Sequence, residues 1–454
     1  MQTRQSSGGS RRARPAVVGL VAAACVAATT AQAAPATPAT PATPAAPAAL
    51  AKSGQISAEQ SPRIGVRPLP RIELTVQGRV PPDDKVAGRM VLRRHGRAVF
   101  RGRIGIELRG ESSRRFPKKA YGVELRDRSG DNRDAGLLGM PADDDWALYP
   151  SYNDKTLVRN TLAYATARRL GRYASRTRHV ELWLNGRYRG VYVLIEKLKL
   201  HDDRVDLEEP AHLLEWISWQ ETQDEGVDVR LPGADVPLVF DDPERGDLDR
   251  EERQEVRRSV KAADAALYGP AFTDPATGWR GHLDEAAAVD YVLLNELFKN
   301  QDGFHKSVYL ARGAAGRWVL GPIWDFDLSM GNSRFAPASP VAGSTLADRG
   351  WAERLYADPT FVAALAARWR ALRAAGLRPW LHAEVKRSTR QLVRSGAARR
   401  NFQRWPVLGK VVWPNPAEAA DRTTYASEVR ALRTWLDARV AWLDEHVHEL
   451  RPRS

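Results

Sequence analysis

Two aspartates one residue apart close an apolar run, Trp318-Val-Leu-Gly-Pro-Ile-Trp-Asp-Phe-Asp327. Side chains alternate along an extended chain, so the spacing predicts Asp325 and Asp327 on one face of a strand end. Carboxylates so placed repel one another. A hard cation such as Mg²⁺ or Mn²⁺, which takes oxygen ligands and leaves positions for phosphate and water, suits such a pair. A third carboxylate, Asp302, lies upstream in Asn295-Glu-Leu-Phe-Lys-Asn-Gln-Asp-Gly-Phe-His-Lys-Ser-Val-Tyr-Leu310. One Asp before a strand-turn-strand and another after it is an arrangement used in phosphoryl transfer. There the first Asp orients the attacking hydroxyl, a residue five positions later helps hold metal, and the second Asp bridges metal to phosphate. The residue five after Asp302 is Ser307, a poorer ligand than Asn, with Asn300 and Asn332 as alternative donors. The bland alternative has Asp302 capping a turn and Asp325 pairing with an arginine, and spacing alone leaves both open.

The elements around these residues read as strands first and helices later, which indicates an α+β architecture. Ile72 to Val76, Arg103 to Arg109 and Lys119 to Leu125 place apolar residues at every second position, as half-buried strands of an antiparallel sheet do. Asp154 to Leu170 reads as a helix beginning at Asn153 or Asp154 and ending at Gly171. Val180 to Leu198, broken by Asn185-Gly186, reads as a hairpin whose second strand is apolar enough to be central. Residues 201 to 250 are acidic and irregular, and read as a solvated loop. Helices are expected over Glu252–Tyr268, Leu283–Phe298, Phe361–Ala375, Trp380–Arg394 and about Thr424–Leu450.

Several strings extend the pattern beyond the aspartates: Gly110-Glu-Ser-Ser-Arg-Arg-Phe-Pro-Lys-Lys-Ala-Tyr121, Leu137-Leu-Gly-Met-Pro141, Asp145-Trp146, Asp154-Lys-Thr-Leu-Val-Arg-Asn160, and Asn185-Gly186 leading to Glu196-Lys197. Together with Trp324-Asp-Phe-Asp327 they resemble, in order and spacing, the CotH (spore-coat protein H) kinase-like family. The resemblance covers roughly residues 100 to 335. It implies an atypical protein-kinase-like fold of two lobes, with a strand-rich N-lobe over 61–200 and a mainly helical C-lobe over 201–454. It also implies ATP-dependent phosphorylation of protein Ser/Thr hydroxyls. Carried over by position, Asp302 is the catalytic-loop aspartate, Asp325 the metal-binding aspartate, and Asp327 and Ser307 are its companions. Lys118 or Lys119 would neutralise phosphate charge. Lys119 is favoured because it shares a face with Tyr121, Val123 and Leu125, and Lys118 otherwise reads as a surface residue. Arg159 is a further cofactor contact, and Glu196 stands at a hinge where backbone groups would meet adenine.

Departures from the family pattern are also visible. The helix after the first strands has no glutamate for a lysine partner, so either Asp154 substitutes or the site is wired differently. His212-Leu-Leu-Glu-Trp-Ile-Ser-Trp219 replaces a Gly-rich strand. No Gly-x-Gly-x-x-Gly loop is present, so phosphate contacts fall to Arg109–Arg115, with Ser112, Ser113 and Arg114 as donors.

Composition limits the alternatives. The 454 residues carry a net charge of +14 with 27% charged and 43% hydrophobic residues, a folded body too large for one small core. The excess charge is dispersed over sequences that also carry Asp and Glu, which argues against nucleic acid as a partner. Residues 1–33 read as a cleaved secretory leader, with Arg11, Arg12 and Arg14 before an apolar run and Ala31-Gln32-Ala33 at its exit, so no transmembrane anchor is expected in the mature form. Lipoprotein cleavage before Cys25, the only cysteine, is the less favoured processing route. Residues 34–60 form an Ala/Pro/Thr-rich spacer. An exported protein results, secreted or held in a bacterial envelope. Its rival functions are a catalytically inactive kinase-like binding or structural protein, a phosphohydrolase using Asp-x-Asp, and a carboxylate-pair glycosidase.

Overall fold

The computed structural model describes residues 68–452 except Asp83, Glu111 and Pro337, and these belong to one unit. The leader, the spacer and Cys25 lie outside the described residues. Seven strands come first: Arg71–Val76 (β1), Val86–Arg94 (β2), Arg97–Arg109 (β3), Ala120–Arg126 (β4), Asp145–Tyr149 (β5), Thr177–Leu184 (β6) and Arg187–Glu196 (β7). They close into a barrel in the order β1-β2-β3-β4-β5-β7-β6. Here the expected antiparallel sheet needs correction. β1 pairs antiparallel with β2 and parallel with β6, so no edge is left open.

Period-two patterning fills the barrel. Ile72, Leu74, Ile104, Ile106, Val123, Leu125, Trp146, Leu148, Tyr192 and Leu194 point inward into one cluster. The opposite face of β7, Val191, Val193 and Ile195, joins a second and larger cluster with the helices. That strand is apolar on both faces because both are covered. Its turn is formed by Asn185 and Gly186, with φ of 50° and 73°, the left-handed geometry that Asn-Gly supplies.

A second sheet corrects the reading of residues 201–250 as a loop. His212–Trp216 (β8), Val229–Leu231 (β9) and Val236–Asp242 (β10) join Val308–Arg312 (β11) and Val319–Leu320 (β12) in the order β9-β10-β8-β11-β12. β8 lies between two neighbours with four of its five residues buried, so it lacks the alternation by which a half-exposed strand is recognised.

Helices complete the body: Arg159–Arg169 (α1), Arg250–Tyr268 (α2), Glu285–Phe298 (α3), Gly350–Tyr356 (α4), Pro359–Ala374 (α5), Leu377–Arg394 (α6), Ala397–Arg404 (α7) and Tyr425–His446 (α8). α1 begins five residues later than the sequence suggests. Asp154 accepts hydrogen bonds from the backbone of Thr156 (3.0 Å) and Arg159 (2.9 Å), and Leu157 has φ of 63°, so a turn precedes the helix and Asp154 caps it from outside.

Candidate active site

The β11–β12 hairpin delivers the aspartates to one place. Asp302 precedes β11 in a turn, with its backbone N–H 3.3 Å from Asn300 Oδ1. Asp325 follows β12, where the extended strand end expected from the sequence is not found. Asp325 has φ of 55°, so period-two alternation does not place Asp327 beside it. The two carboxyls meet through a side-chain hydrogen bond instead. Lys299, Phe304, Ser307 and Met330 also have φ between 47° and 53°. Such a concentration of left-handed non-glycine backbone persists only where the surroundings hold it.

α1 and the turn before it do the holding. Asn160 Oδ1 accepts the Phe326 N–H at 2.7 Å, and Tyr164 Oη accepts the Asp325 N–H at 3.2 Å. Arg159 donates to the carbonyls of Ser329 (3.1 Å) and Met330 (3.3 Å) and pairs with Asp154 at 2.6 Å. Asn153 Nδ2 donates to Asp327 Oδ2 at 2.7 Å, and the Tyr149 hydroxyl also bonds Asp327. Asn332 Nδ2 donates to the Asp327 carbonyl at 2.7 Å while its Oδ1 accepts from Asn415 at 3.0 Å.

Electrostatics link the three aspartates. Burial pushes the Asp302 carboxyl up to about 6, with Lys306 pulling down and Asp327 pushing up. Burial also raises Asp325, which the charge of Asp302 raises further, and Asp327 is raised well above the carboxylate range by burial and by Asp325. Lys306 and Arg109 lower Asp325 without cancelling these effects. Such a donor set fits a divalent cation, because two charges added among mutually repelling carboxylates relieve the repulsion. Among the described residues no group of three or more His, Cys, Asp or Glu could enclose a metal by itself. A cation here would therefore take further oxygens from phosphate and water, as Mg²⁺ does when it shares a site with nucleotide.

The other sequence-derived residues are distributed unevenly. Lys118 is not at the surface: it is 1% exposed, and its Nζ donates to the Val191 carbonyl (2.6 Å) and Asn401 Oδ1 (2.9 Å). Burial holds its pKa well below that of an ordinary lysine. Lys119 precedes β4 and bonds the Arg114 carbonyl. Asp154 pairs with Arg159 and not with either lysine. Arg159 is committed to the loop after Asp327, which makes it a positioning residue. Glu196 is fully buried against Arg176 (3.0 Å), and its N–H bonds the Arg176 carbonyl at 3.3 Å, so this hinge is already internally bonded. Ser307 is half-buried in the bend immediately before β11. Asn300 and Asn332, the alternative ligands, are engaged in local hydrogen bonds.

Arg109, at the end of β3, acts on several acidic groups. Behind Lys197, its charge helps to lower Asp145 at the start of β5 and Asp241 on β10, and behind Lys306 it helps to lower Asp325. The side chain crosses Gly122, where an added Cβ would lie 3.1 Å from Arg109 Cδ. Sequence reasoning named Arg109 only as one of a run, and it missed Asn153, Tyr164 and Lys306. The first two act through hydrogen bonds to backbone or carboxylate from another element, which spacing does not encode.

A family model described as CotH kinase protein matches residues 106–443, about three quarters of the chain. The chain belongs to the CotH kinase family. No curated protein matches it. The family match runs from within β3 through α8, so it includes all three aspartates, the Asn153–Tyr164 region that fixes them, and the C-terminal helices. Family membership makes the function kinase-like, and phosphotransfer is the chemistry against which the acidic site is to be judged.

Proposed function

We propose that this CotH kinase family member transfers the γ-phosphoryl group of ATP to Ser/Thr hydroxyls of a protein acceptor, with the barrel and the helical body acting as the two lobes of a kinase-like fold. The observation that carries the reading is the cluster of three raised carboxyls at Asp302, Asp325 and Asp327 inside the family-matched region. In this reading Asp325 and Asp327 hold Mg²⁺ or Mn²⁺, which when bound with ATP neutralises phosphate charge and orients the γ-phosphate. Asp302, still mostly ionised at neutral pH, accepts a hydrogen bond from the acceptor hydroxyl and takes its proton as transfer proceeds. Arg109 contacts phosphate from the barrel side, and Lys306 balances charge on the Asp302 side. Asn153, Asn160, Tyr164 and Arg159 keep the carboxylates in register, so the protein contributes mostly positioning and charge complementarity.

Export is supported by the leader-type sequence of residues 1–33. No helix among the described residues is long and apolar enough to cross a membrane. The test is incubation of the protein with γ-labelled ATP, Mn²⁺ or Mg²⁺ and a dephosphorylated protein acceptor. Metal-dependent label on Ser or Thr supports the proposal. Nucleotide binding without transfer under any metal condition would favour the inactive-scaffold alternative.

A further inference from the structure

One cavity among the described residues is remote from the aspartates in sequence and is not used by the proposed mechanism. It is a groove of about 960 Å³ bounded by α6, α7 and α8, with Val393, Ala398, Phe402, Leu408, Tyr425 and Val429 supplying an apolar lining. Val393 is 57% exposed, unusual for a residue beside such a lining. The rim is cationic. Arg399, Arg430 and Arg433 all border the groove, and the side chains of Arg399 and Arg430 make no hydrogen bond or ion pair among the described residues. The one acid on the rim, Asp437, is already neutralised by Arg378 (2.7 Å) and His382 (2.9 Å). From Tyr425 to Asp437 the α8 wall spans thirteen residues, about 18 Å end to end at a rise of about 1.5 Å per residue.

An apolar concavity of this volume with a few convergent charges has the character of a small-ligand site. We infer that the groove binds a single-chain amphipathic anion, its hydrocarbon along Phe402 and Val429 and its carboxylate or phosphate head at Arg430 and Arg399. The protein's own N-terminal leader is a poor occupant by charge, since Arg4, Arg11, Arg12 and Arg14 would meet a basic rim. The groove also touches the site's support: Tyr425 contributes to its wall, and the Tyr425 hydroxyl donates to the Thr156 carbonyl at 2.9 Å, three residues from Asn153.

The test is calorimetric titration of the full chain with dodecanoate and with dodecyl phosphate below their micellar range. Dodecyltrimethylammonium and an acidic amphipathic helical peptide serve as comparisons. Saturable one-to-one binding of either anion, with the cation silent, is expected. A preference for dodecanoate points to a free fatty acid, and a preference for dodecyl phosphate to a lipid-derived phosphate. Arg430→Glu, an exposed position that does not disturb the core, weakens binding roughly tenfold or more, as loss of a charge-assisted contact does. Ala426→Trp, which fills the groove, removes binding while the unliganded unfolding temperature stays near wild type. Equal binding of the cationic chain, binding of the peptide alone, or retention of anion affinity in both variants overturns the assignment.

Discussion

Asn153→Ala is the substitution that most directly separates positioning from catalysis. The Asn153 amide donates to the buried Asp327 carboxylate at 2.7 Å, while Asn332 and Asn415 contact the Asn153 backbone carbonyl and are spared by the change. With metal bound Asp327 is ionised, and a hydrogen bond to a charged group contributes about 1.5–3 kcal/mol. Removing a group that orients a metal ligand typically weakens metal affinity by about 10–100-fold, about 1.4–2.7 kcal/mol, so the two figures agree. The assay is calorimetric titration of Mn²⁺ in the presence of a non-hydrolysable ATP analogue, with thermal unfolding as the control for folding. The variant should need a correspondingly higher Mn²⁺ concentration and lose transfer at limiting metal but recover part of it at saturation. A folded variant with unchanged metal affinity would refute the role given to Asp327.

Three further outcomes follow from the same structure. Arg439 and Glu296 are both fully buried and paired at 2.8 Å, so Arg439→Met strands a buried carboxylate at a cost of about 3–5 kcal/mol. With an unfolding entropy of about 2.1 cal/mol/K per residue over roughly 390 residues, calorimetry should show a fall of about 4–6 °C, and less in the Glu296→Gln/Arg439→Met double variant. His179 is buried with Nε2 2.7 Å from the Leu157 carbonyl, and burial lowers its pKa below 6.5. The unfolded chain therefore binds more protons below pH 6.5, so stability from this group declines as pH falls from 6.5 to its folded pKa. His179→Gln should flatten denaturant-derived stability over that window. Arg109→Ala should raise the KM for ATP roughly tenfold, through loss of a charge-assisted phosphate contact, without changing Mn²⁺ affinity in the absence of nucleotide.

Much of the local structure was legible from residue patterns. The Asn185-Gly186 hairpin, the stop at Gly171 and the helices of the second half carry their own turn, cap or 3.6-residue signals. Barrel closure was not legible, because the parallel pairing of β1 with β6 joins residues about 110 positions apart and leaves no local mark. β8 and β10 were hidden in an acidic stretch, the first because both of its faces are covered. At the site, the aspartates announced themselves by type and spacing, but the geometry behind the reading was wrong. A left-handed Asp325, fixed by Asn160 and Tyr164, replaces the extended strand end. Lys118 misled for a related reason: nothing adjacent to it in sequence shows that Val191 and Asn401 will bury its amine.

The central claim is most directly tested by comparing Asp302→Asn with Asp325→Ala in the same labelled-ATP assay, each paired with a measurement of Mn²⁺-dependent nucleotide binding. Asp302→Asn should abolish label transfer yet bind nucleotide and metal as the parent does, while Asp325→Ala should lose both. Undiminished transfer in either folded variant would contradict the assignment of this acidic cluster as the phosphotransfer centre.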